Sequence, residues 1–189
     1  MKALALVLAI FTLISCSKPV QEEVCIKKEM TTNSAGTRLP VAISYRMPAT
    51  WQRSENTSPM KIEERIIDPI SQAKLKVFYF EGMKDKNEAN LERWTNQFEA
   101  DGRELISQQV LEINQIPVVE FIMSGTYIDK IQPMNPDTEV VLRAGSTMRA
   151  YIVETQTGTW FFKAVAPKNV INIQAKNFES LVKSIRENY

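Results

Sequence analysis

The chain has 189 residues, 44% hydrophobic and 24% charged, with 23 Lys and Arg residues against 22 Asp and Glu residues. A formal net charge of +1 lacks the basic excess that nucleic-acid binding or attachment to anionic lipid needs, so neither interaction is expected. Histidine is absent from the sequence, which removes the most common general base and the usual partner of a catalytic cysteine.

The N-terminal segment Met1–Cys16 has the features of a secretory signal. A positive charge at Lys2 is followed by the apolar stretch Ala3–Ile14 and then by Ser15. The stretch is shorter than the roughly 20 residues of a membrane-spanning helix. Its end, LISC, resembles a bacterial lipobox, which predicts cleavage after residue 15 and lipidation of Cys16. The alternative is an ordinary cleaved signal with an incidental cysteine.

Lipidation would decide where the protein resides. Lipoproteins of this kind carry two or three acyl chains, and two or more chains hold a protein stably on a bilayer. Ser17 and Lys18 follow the cysteine, with no Asp at the second position, a pattern that favours the outer membrane. We therefore expect a bacterial cell-envelope protein whose membrane contact is its N-terminal lipid, on either the periplasmic or the surface side.

The sequence divides into three parts, with residues 1–15 as the signal peptide. Residues 16–37 are polar and lack a sustained period, which predicts a lipidated N-terminus and a flexible tether. Cys25 lies in this tether without an intramolecular thiol partner and is interpreted as incidental. Residues 38–189 are enough for one domain with a core of its own.

Extended segments dominate the domain. Val41, Ile43 and Tyr45 alternate with polar or small residues and predict a strand that ends at Met47-Pro48. Residues 75–80 are largely apolar on both faces, as in a central strand that is covered on both sides. The remaining predicted strands are Met60–Ile67, Leu75–Gly82, Val110–Asn114, Val118–Tyr127, Met148–Thr155 and Thr159–Val165, the last two as a hairpin around residues 156–158.

Two amphipathic helices are predicted. The first covers Asn87–Ile106, where Leu91, Trp94 and Phe98 form an apolar stripe, with Asp101-Gly102 as a candidate early end. The second covers Asn177–Glu187. These elements predict an α+β fold in which a central antiparallel sheet of about six strands is flanked by helices.

The segment Asp129–Thr147 is predicted to be a long loop. Pro133, Pro136 and Gly145 interrupt it, although residues 140–142 could pair briefly at a sheet edge. A loop of this length is either functional or a disordered insertion, and the sequence leaves both open.

Three stretches resemble bacterial lipoproteins of the PsbP/Mog1-like superfamily. The first is YRMPATW at residues 45–51, and the second is ANLERWTNQF at residues 89–98, close to an Asn-x-x-Arg-Trp-x-x-Gln-Phe pattern. The third is GTWFFK at residues 158–163, followed by the C-terminal helix. The resemblance implies an α/β/α sandwich. It also implies a protein that binds partners and has no shared catalytic site, as in photosystem II accessory subunits and a Ran-binding protein.

The quoted motifs supply the candidate structural or interaction residues. Trp94 and Phe98 are expected in the core, and the consecutive Trp160, Phe161 and Phe162 are expected to point to both sheet faces. Arg93 and Gln97, four residues apart, share a helix face and could fix the helix to the sheet or bind an external group. The candidate set is Asn90, Arg93, Trp94, Gln97 and Trp160.

No enzyme motif is present: the sequence has no nucleophile elbow, no P-loop and no dinucleotide-binding glycine pattern. The carboxylates at Glu63-Glu64, Glu81 and Glu120 are interpreted as solvated, and residues 135–139 have too few ligands for a calcium loop. We expect no enzyme, no cofactor and no metal. The sequence predicts a lipid-anchored binding or accessory module for protein or envelope partners, with a carrier or sensor of a small apolar ligand as the alternative.

Overall fold

The computed structural model describes residues 22–25, 31–32, 38–39, 42–54, 61–83, 85–131, 135 and 137–188. The strands are β1 Glu22–Cys25, β2 Thr31–Thr32, β3 Arg38–Leu39, β4 Ala42–Met47, β5 Gln52–Arg53, β6 Lys61–Asp68, β7 Ala73–Glu81, β8 Glu104–Ile113, β9 Ile116–Lys130, β10 Val140–Glu154, β11 Gly158–Pro167 and β12 Arg186–Asn188. The helices are α1 Asn87–Thr95, α2 Lys168–Ile173 and α3 Ala175–Lys183.

The centre of the fold is an antiparallel sheet of seven strands in the order β5-β6-β7-β11-β10-β9-β8. The expected antiparallel sheet is confirmed, with seven strands instead of about six. Strands make up most of the described chain and the helices are short, so the expected α/β/α sandwich is met only in part. β1 and β12 pair with the two edges of β4 in a separate small sheet.

The two faces of the large sheet carry separate cores because successive side chains of a strand point to opposite faces. On the face covered by β4 and α3, which we call the α3 face, Trp160 and Phe162 of β11 pack with Tyr45 and Phe178. On the opposite face, which we call the α1 face, Phe161 packs with Trp94 of α1, Phe121 and Met148. The expected split of the three consecutive aromatic residues between the faces is confirmed.

The first helix is much shorter than predicted. α1 ends at Thr95, because the backbone beyond it pairs with β9: Glu99 N–H donates to Thr126 O at 3.0 Å, and Ile128 N–H donates to Gln97 O at 2.8 Å. A turn at Gly102 (φ +69°) then leads into β8, so the predicted helical residues 104–106 are strand. The apolar period therefore continued past the true helix end.

The C-terminal helix is also shorter than predicted. α3 ends at Lys183, and residues 186–188 form β12 against β4 instead of a last helical turn. Backbone pairing with β4 replaces the helical hydrogen bonds at this point.

The predicted long loop 129–147 is partly strand: residues 129–130 end β9 and residues 140–147 belong to β10, so the pairing expected for residues 140–142 is confirmed and extends further. Val140 pairs with Lys130 and Arg143 with Tyr127, and the Arg143 Nε donates to Asp129 Oδ2 at 2.7 Å. Gly145, one of the predicted loop residues, lies at a β-bulge with a φ of +64°. Residues 132–134 and 136 lie outside the described residues.

Part of the predicted tether is paired. Glu22–Cys25 forms β1, in which Cys25 lies opposite Ser44 of β4. Residues 31–32 pair with residues 38–39. The signal peptide, Cys16 and most of the tether lie outside the described residues, so their predicted roles stay predictions.

Candidate functional site

A pocket of about 980 Å³ lies on the α1 face of the large sheet. Its walls come from α1 and from the α1-face side chains of β7, β11, β9 and β10. Strand alternation explains the two central rows: Lys74, Lys76, Phe78 and Phe80 on β7, and Phe161, Lys163 and Val165 on β11. Its volume falls within the range of small-molecule sites in proteins.

The apolar part of the pocket is aromatic. Phe78 and Phe80 are only partly buried, and their rings lie nearly parallel, with centroids 6.5 Å apart and an interplanar angle of 15°. Phe161 and Trp94, both buried, contact each other edge to face behind them. A partly exposed pair of near-parallel rings gives the pocket a flat apolar surface.

The polar part of the pocket is cationic, with five Lys and Arg side chains and one carboxylate among the lining residues. Lys74 is paired with Glu64 at 2.7 Å, and Arg143 is paired with Asp129 at 2.7 Å. Within the described part of the chain, no carboxylate lies within ion-pair distance of the other three: Lys76, Arg93 and Lys163.

Lys163 is the most constrained of these cations. Its Nζ donates to Gln97 Oε1 and lies 5.8 Å from the Trp94 ring centroid and 5.9 Å from that of Tyr127. Burial, and then the positive charges of Arg93 and Lys76, lower the pKa of Lys163 to about 7. The nearby Asp129 carboxylate opposes this shift without cancelling it.

Lys76 and Lys163 are cross-strand partners in the β7–β11 register. Directly opposed residues of an antiparallel pair point to the same face, and like charges at such a position are destabilising. The sheet therefore places two like charges side by side, with Arg93 as a third positive charge close enough to affect the pKa of Lys163.

The α1 motif residues form one wall of the pocket. Asn90 is buried; its Nδ2 donates to Lys86 O at 2.9 Å, and its Oδ1 accepts from Arg93 Nη2 at 2.8 Å. Asn90 thus orients Arg93, which is exposed at the pocket rim. Trp94 contributes to the core behind the pocket, and Gln97 holds Lys163.

Of the five candidate residues in the described chain, Trp160 lies elsewhere. It is on the α3 face, against Tyr79 with ring centroids 4.7 Å apart. Sequence reasoning missed Lys76, Lys163, Phe78 and Phe80. The available signal was Lys163 itself, a lone charge inside the otherwise apolar run 160–166.

Two carboxylates that we expected to be solvated are buried. Glu120 accepts hydrogen bonds from Arg149 Nη2 at 2.9 Å and Gln109 Nε2 at 2.8 Å. Burial alone would raise the pKa of Glu120, but these hydrogen bonds and the Arg149 charge lower it below its ordinary value. Glu64, paired with Lys61 and Lys74, has a pKa lowered to about 2 against the effect of burial. Both carboxylates are therefore paired with cations of the same chain, which indicates structural roles.

In the described part of the chain, no group of three acidic or Cys side chains is arranged to hold a metal ion. No helix of that part is long and apolar enough to cross a membrane.

The fold is similar to that of PsbP from the cyanobacterium Synechocystis sp. PCC 6803 (CyanoP). Its solution structure superposes with a TM-score of 0.52 at 11% identity and covers 94% of this chain and 98% of that one. A crystal structure from Bacteroides thetaiotaomicron VPI-5482 matches with a TM-score of 0.42 at 13% identity, over 78% of this chain and 45% of that one. No protein-family model matches the sequence, and no curated protein matches it. The similarity to the CyanoP structure confirms the PsbP-like fold that the sequence motifs implied.

Proposed function

We propose that this chain is a non-catalytic binding module of the bacterial cell envelope, a lipoprotein of the PsbP/Mog1-like superfamily. It is attached to the outer membrane by lipid on Cys16, and the pocket on the α1 face is its binding site. The observation that carries the binding role is the pocket of about 980 Å³, with a partly exposed aromatic surface beside Lys76, Lys163 and Arg93. The anchor is supported by the signal-like sequence that ends at Cys16.

The pocket favours the ligand-carrier alternative over a purely scaffolding role. A scaffold gains nothing from leaving Phe78 and Phe80 partly uncovered, whereas a carrier needs apolar surface that its ligand can bury. The mixed lining further indicates that the ligand is not simply apolar. The module would bind an envelope component, or a small molecule passing through the envelope.

A second candidate function, docking of a protein partner, is favoured by the edge strand β8. Leu105 and Val110 are 51% and 71% exposed on this strand, which ends the large sheet. An edge strand with exposed apolar side chains offers backbone hydrogen bonds and side-chain contacts to an added strand.

The two functions are separated by two variants of the full chain expressed in a bacterial host with an intact envelope. Native mass spectrometry of the isolated protein should show a bound small molecule that is lost in Phe78→Ala and retained in Val110→Glu. Crosslinking in cells should show a partner lost in Val110→Glu only if the β8 edge is the functional surface. If no ligand accompanies the wild-type protein and Phe78→Ala changes nothing, the pocket is not the binding site.

The anchor is tested separately by Cys16→Ala. The wild-type chain should remain in the membrane fraction after alkaline washing, whereas Cys16→Ala should be released. Lipid anchoring is wrong if the variant still sediments with membranes, or if intact-mass analysis of the wild type shows no fatty-acid increment on Cys16.

A further inference from the structure

We propose that the pocket on the α1 face binds an organic anion with a flat aromatic body, holding its negative group between Lys76, Lys163 and Arg93 and its body against Phe78 and Phe80. This inference rests on the proposed binding role of the pocket and names the chemical class of its ligand.

The first argument is the charge arrangement. The β7–β11 register fixes Lys76 directly opposite Lys163, and α1 adds Arg93 to the same pocket. Glu64 lies directly opposite Lys76 in the β6–β7 register, but its carboxylate is paired with Lys61 and Lys74, and the Asp129 carboxylate in the pocket is paired with Arg143. Cations therefore outnumber carboxylates in the pocket, and this excess of like charge is destabilising by itself and becomes favourable once an anion lies between the three cations.

The second argument is that the cluster is held in place. Gln97 accepts from Lys163, and Asn90 accepts from Arg93, so neutral groups orient both cations without neutralising them. This arrangement keeps the charge available to a ligand. A carboxylate in place of either amide would neutralise the positive charge of Lys163 or Arg93.

The third argument concerns the body of the ligand. The near-parallel Phe78 and Phe80 rings lie on the same strand face as Lys76, at the following alternate positions. An aromatic ring that stacks on them would place a substituent towards Lys76 and Lys163, because Phe78 is the cross-strand partner of Phe161 and Lys76 that of Lys163. Aromatic pairs add to the free energy of burying their area, which favours a flat body over an aliphatic chain.

Protonation of Lys163 should couple to binding. The charged and titratable groups that surround it are Arg93 on α1, Lys74 and Lys76 on β7, Tyr127 and Asp129 on β9 and Arg143 on β10. With a pKa of about 7, the side chain of Lys163 is mostly a neutral amine at pH 8. A bound anion would raise this pKa, so that the amine takes up a proton. Binding of an anion at pH 8 should therefore take up protons from the buffer.

The test is isothermal titration calorimetry on the full chain carrying Cys16→Ala, which avoids detergent. The probes are 2-naphthoate, 1-naphthyl phosphate, the neutral 2-naphthylmethanol and the aliphatic octanoate. We expect both naphthyl anions to bind at least about tenfold more tightly than 2-naphthylmethanol and octanoate. The carboxylate and the phosphate arms show which anionic group the pocket prefers.

Variants then locate the site. Lys163→Met and Lys76→Met should each weaken the binding of 2-naphthoate about tenfold, whereas the matched control Lys176→Met, at an exposed position of α3, should not. Titrations at pH 8 in two buffers of different ionisation enthalpy should show proton uptake that Lys163→Met removes. The comparison of probes on the unsubstituted pocket needs no variant and stands even if one fails to fold.

The outcomes separate the two proposals. Equal binding of 2-naphthylmethanol and 2-naphthoate would overturn the anion preference but leave the pocket as a binding site. Equal binding of octanoate and 2-naphthoate would overturn the aromatic body. Failure of all four probes would overturn this inference, and the proposed function would fail with it only if the wild-type protein also carries no ligand from the envelope.

Discussion

The two faces of the large sheet follow the same alternation but balance charge to different degrees. On the α3 face Glu120 is buried together with the Arg149 guanidinium, and Gln109 and Ser107 occupy its remaining oxygen sites. On the α1 face five Lys and Arg side chains line the pocket with one carboxylate, Asp129. Asp129 is paired with Arg143, and the buried Glu64 is paired with Lys61 and Lys74. No described carboxylate lies within ion-pair distance of Lys76, Lys163 or Arg93. The comparison indicates that the buried charges of the α3 face are matched by their own chain, whereas the α1 face keeps an excess of positive charge that an anion could match.

The largest expected effect comes from the aromatic cores on either face. Trp94→Ala on the α1 face and Trp160→Ala on the α3 face should each lower the free energy of unfolding by about 3–5 kcal/mol, because both indoles are buried. Chemical denaturation followed by circular dichroism measures this. If Trp94→Ala left stability unchanged, the indole would have a surface role.

Breaking the ion pair on the α3 face should cost nearly as much. Arg149→Met leaves the buried Glu120 carboxylate without its cation, and removing one partner of a buried pair costs about 3–5 kcal/mol. The double variant Arg149→Met with Glu120→Leu should recover much of that loss. If the single variant were as stable as the wild type, the pair would not be a structural element.

On the α1 face, replacing a charged residue is expected to raise stability instead of lowering it. Lys163→Met removes a cation that the protein disfavours, so the melting temperature at pH 6 should rise by a few degrees. The matched control Lys176→Met, an exposed lysine, should leave it unchanged. A fall in the melting temperature would mean that the protein itself supplies a negative partner to Lys163.

The pH dependence of stability also reports the cost of burying the charge of Lys163. The folded pKa of Lys163, about 7, lies below its ordinary value, so the unfolded chain binds more protons above pH 7 and stability should rise with pH. Below about pH 7 the penalty is fully present. The rise should be followed only to about pH 9, since burial raises the pKa of Tyr127 and Tyr151 and their effect is opposite near pH 10. Thermal unfolding of Lys163→Met should lack this slope.

The smallest effect is expected at the surface pair of Lys183 and Glu179 on α3. Both side chains are more than half exposed, so water and salt screen their interaction. Lys183→Ala should give no measurable change in melting temperature. A clear loss would mean that the end of α3 is held more weakly than its buried residues Phe178 and Leu181 indicate.

The sequence predicted the strands well and their ends less well. Alternation located the core of β4, β6, β7 and the β10–β11 hairpin within a few residues, because each strand has one or two buried faces. It failed where backbone pairing overrides side-chain periodicity. Leu105 continues the helical period of α1 but lies in β8, and residues 143–147, predicted as loop, lie in β10.

The candidate site was half predictable. Asn90, Arg93, Trp94 and Gln97 lie within one local motif, and all four lie at or behind one wall of the pocket. The opposing side depends on the pairing of β7 with β11, which are neighbours in the sheet but separated along the chain by α1 and three strands. No local sequence pattern indicates which distant strands pair, so the proximity of Lys76 and Lys163 could not be predicted from the sequence.

The pairing of β1 with β4 limits how far the domain can stand from a bilayer. If Cys16 is acylated, only residues 17–21 lie between the anchor and the first residue of β1, Glu22, and five residues span at most about 18 Å. The domain would then lie close to the lipid headgroups, with β1 and its partner strand β4 nearest to the anchor. Because β4 packs on the α3 face, the pocket would open on the opposite face of the sheet from the strand nearest to the anchor, where a ligand could reach it from solution.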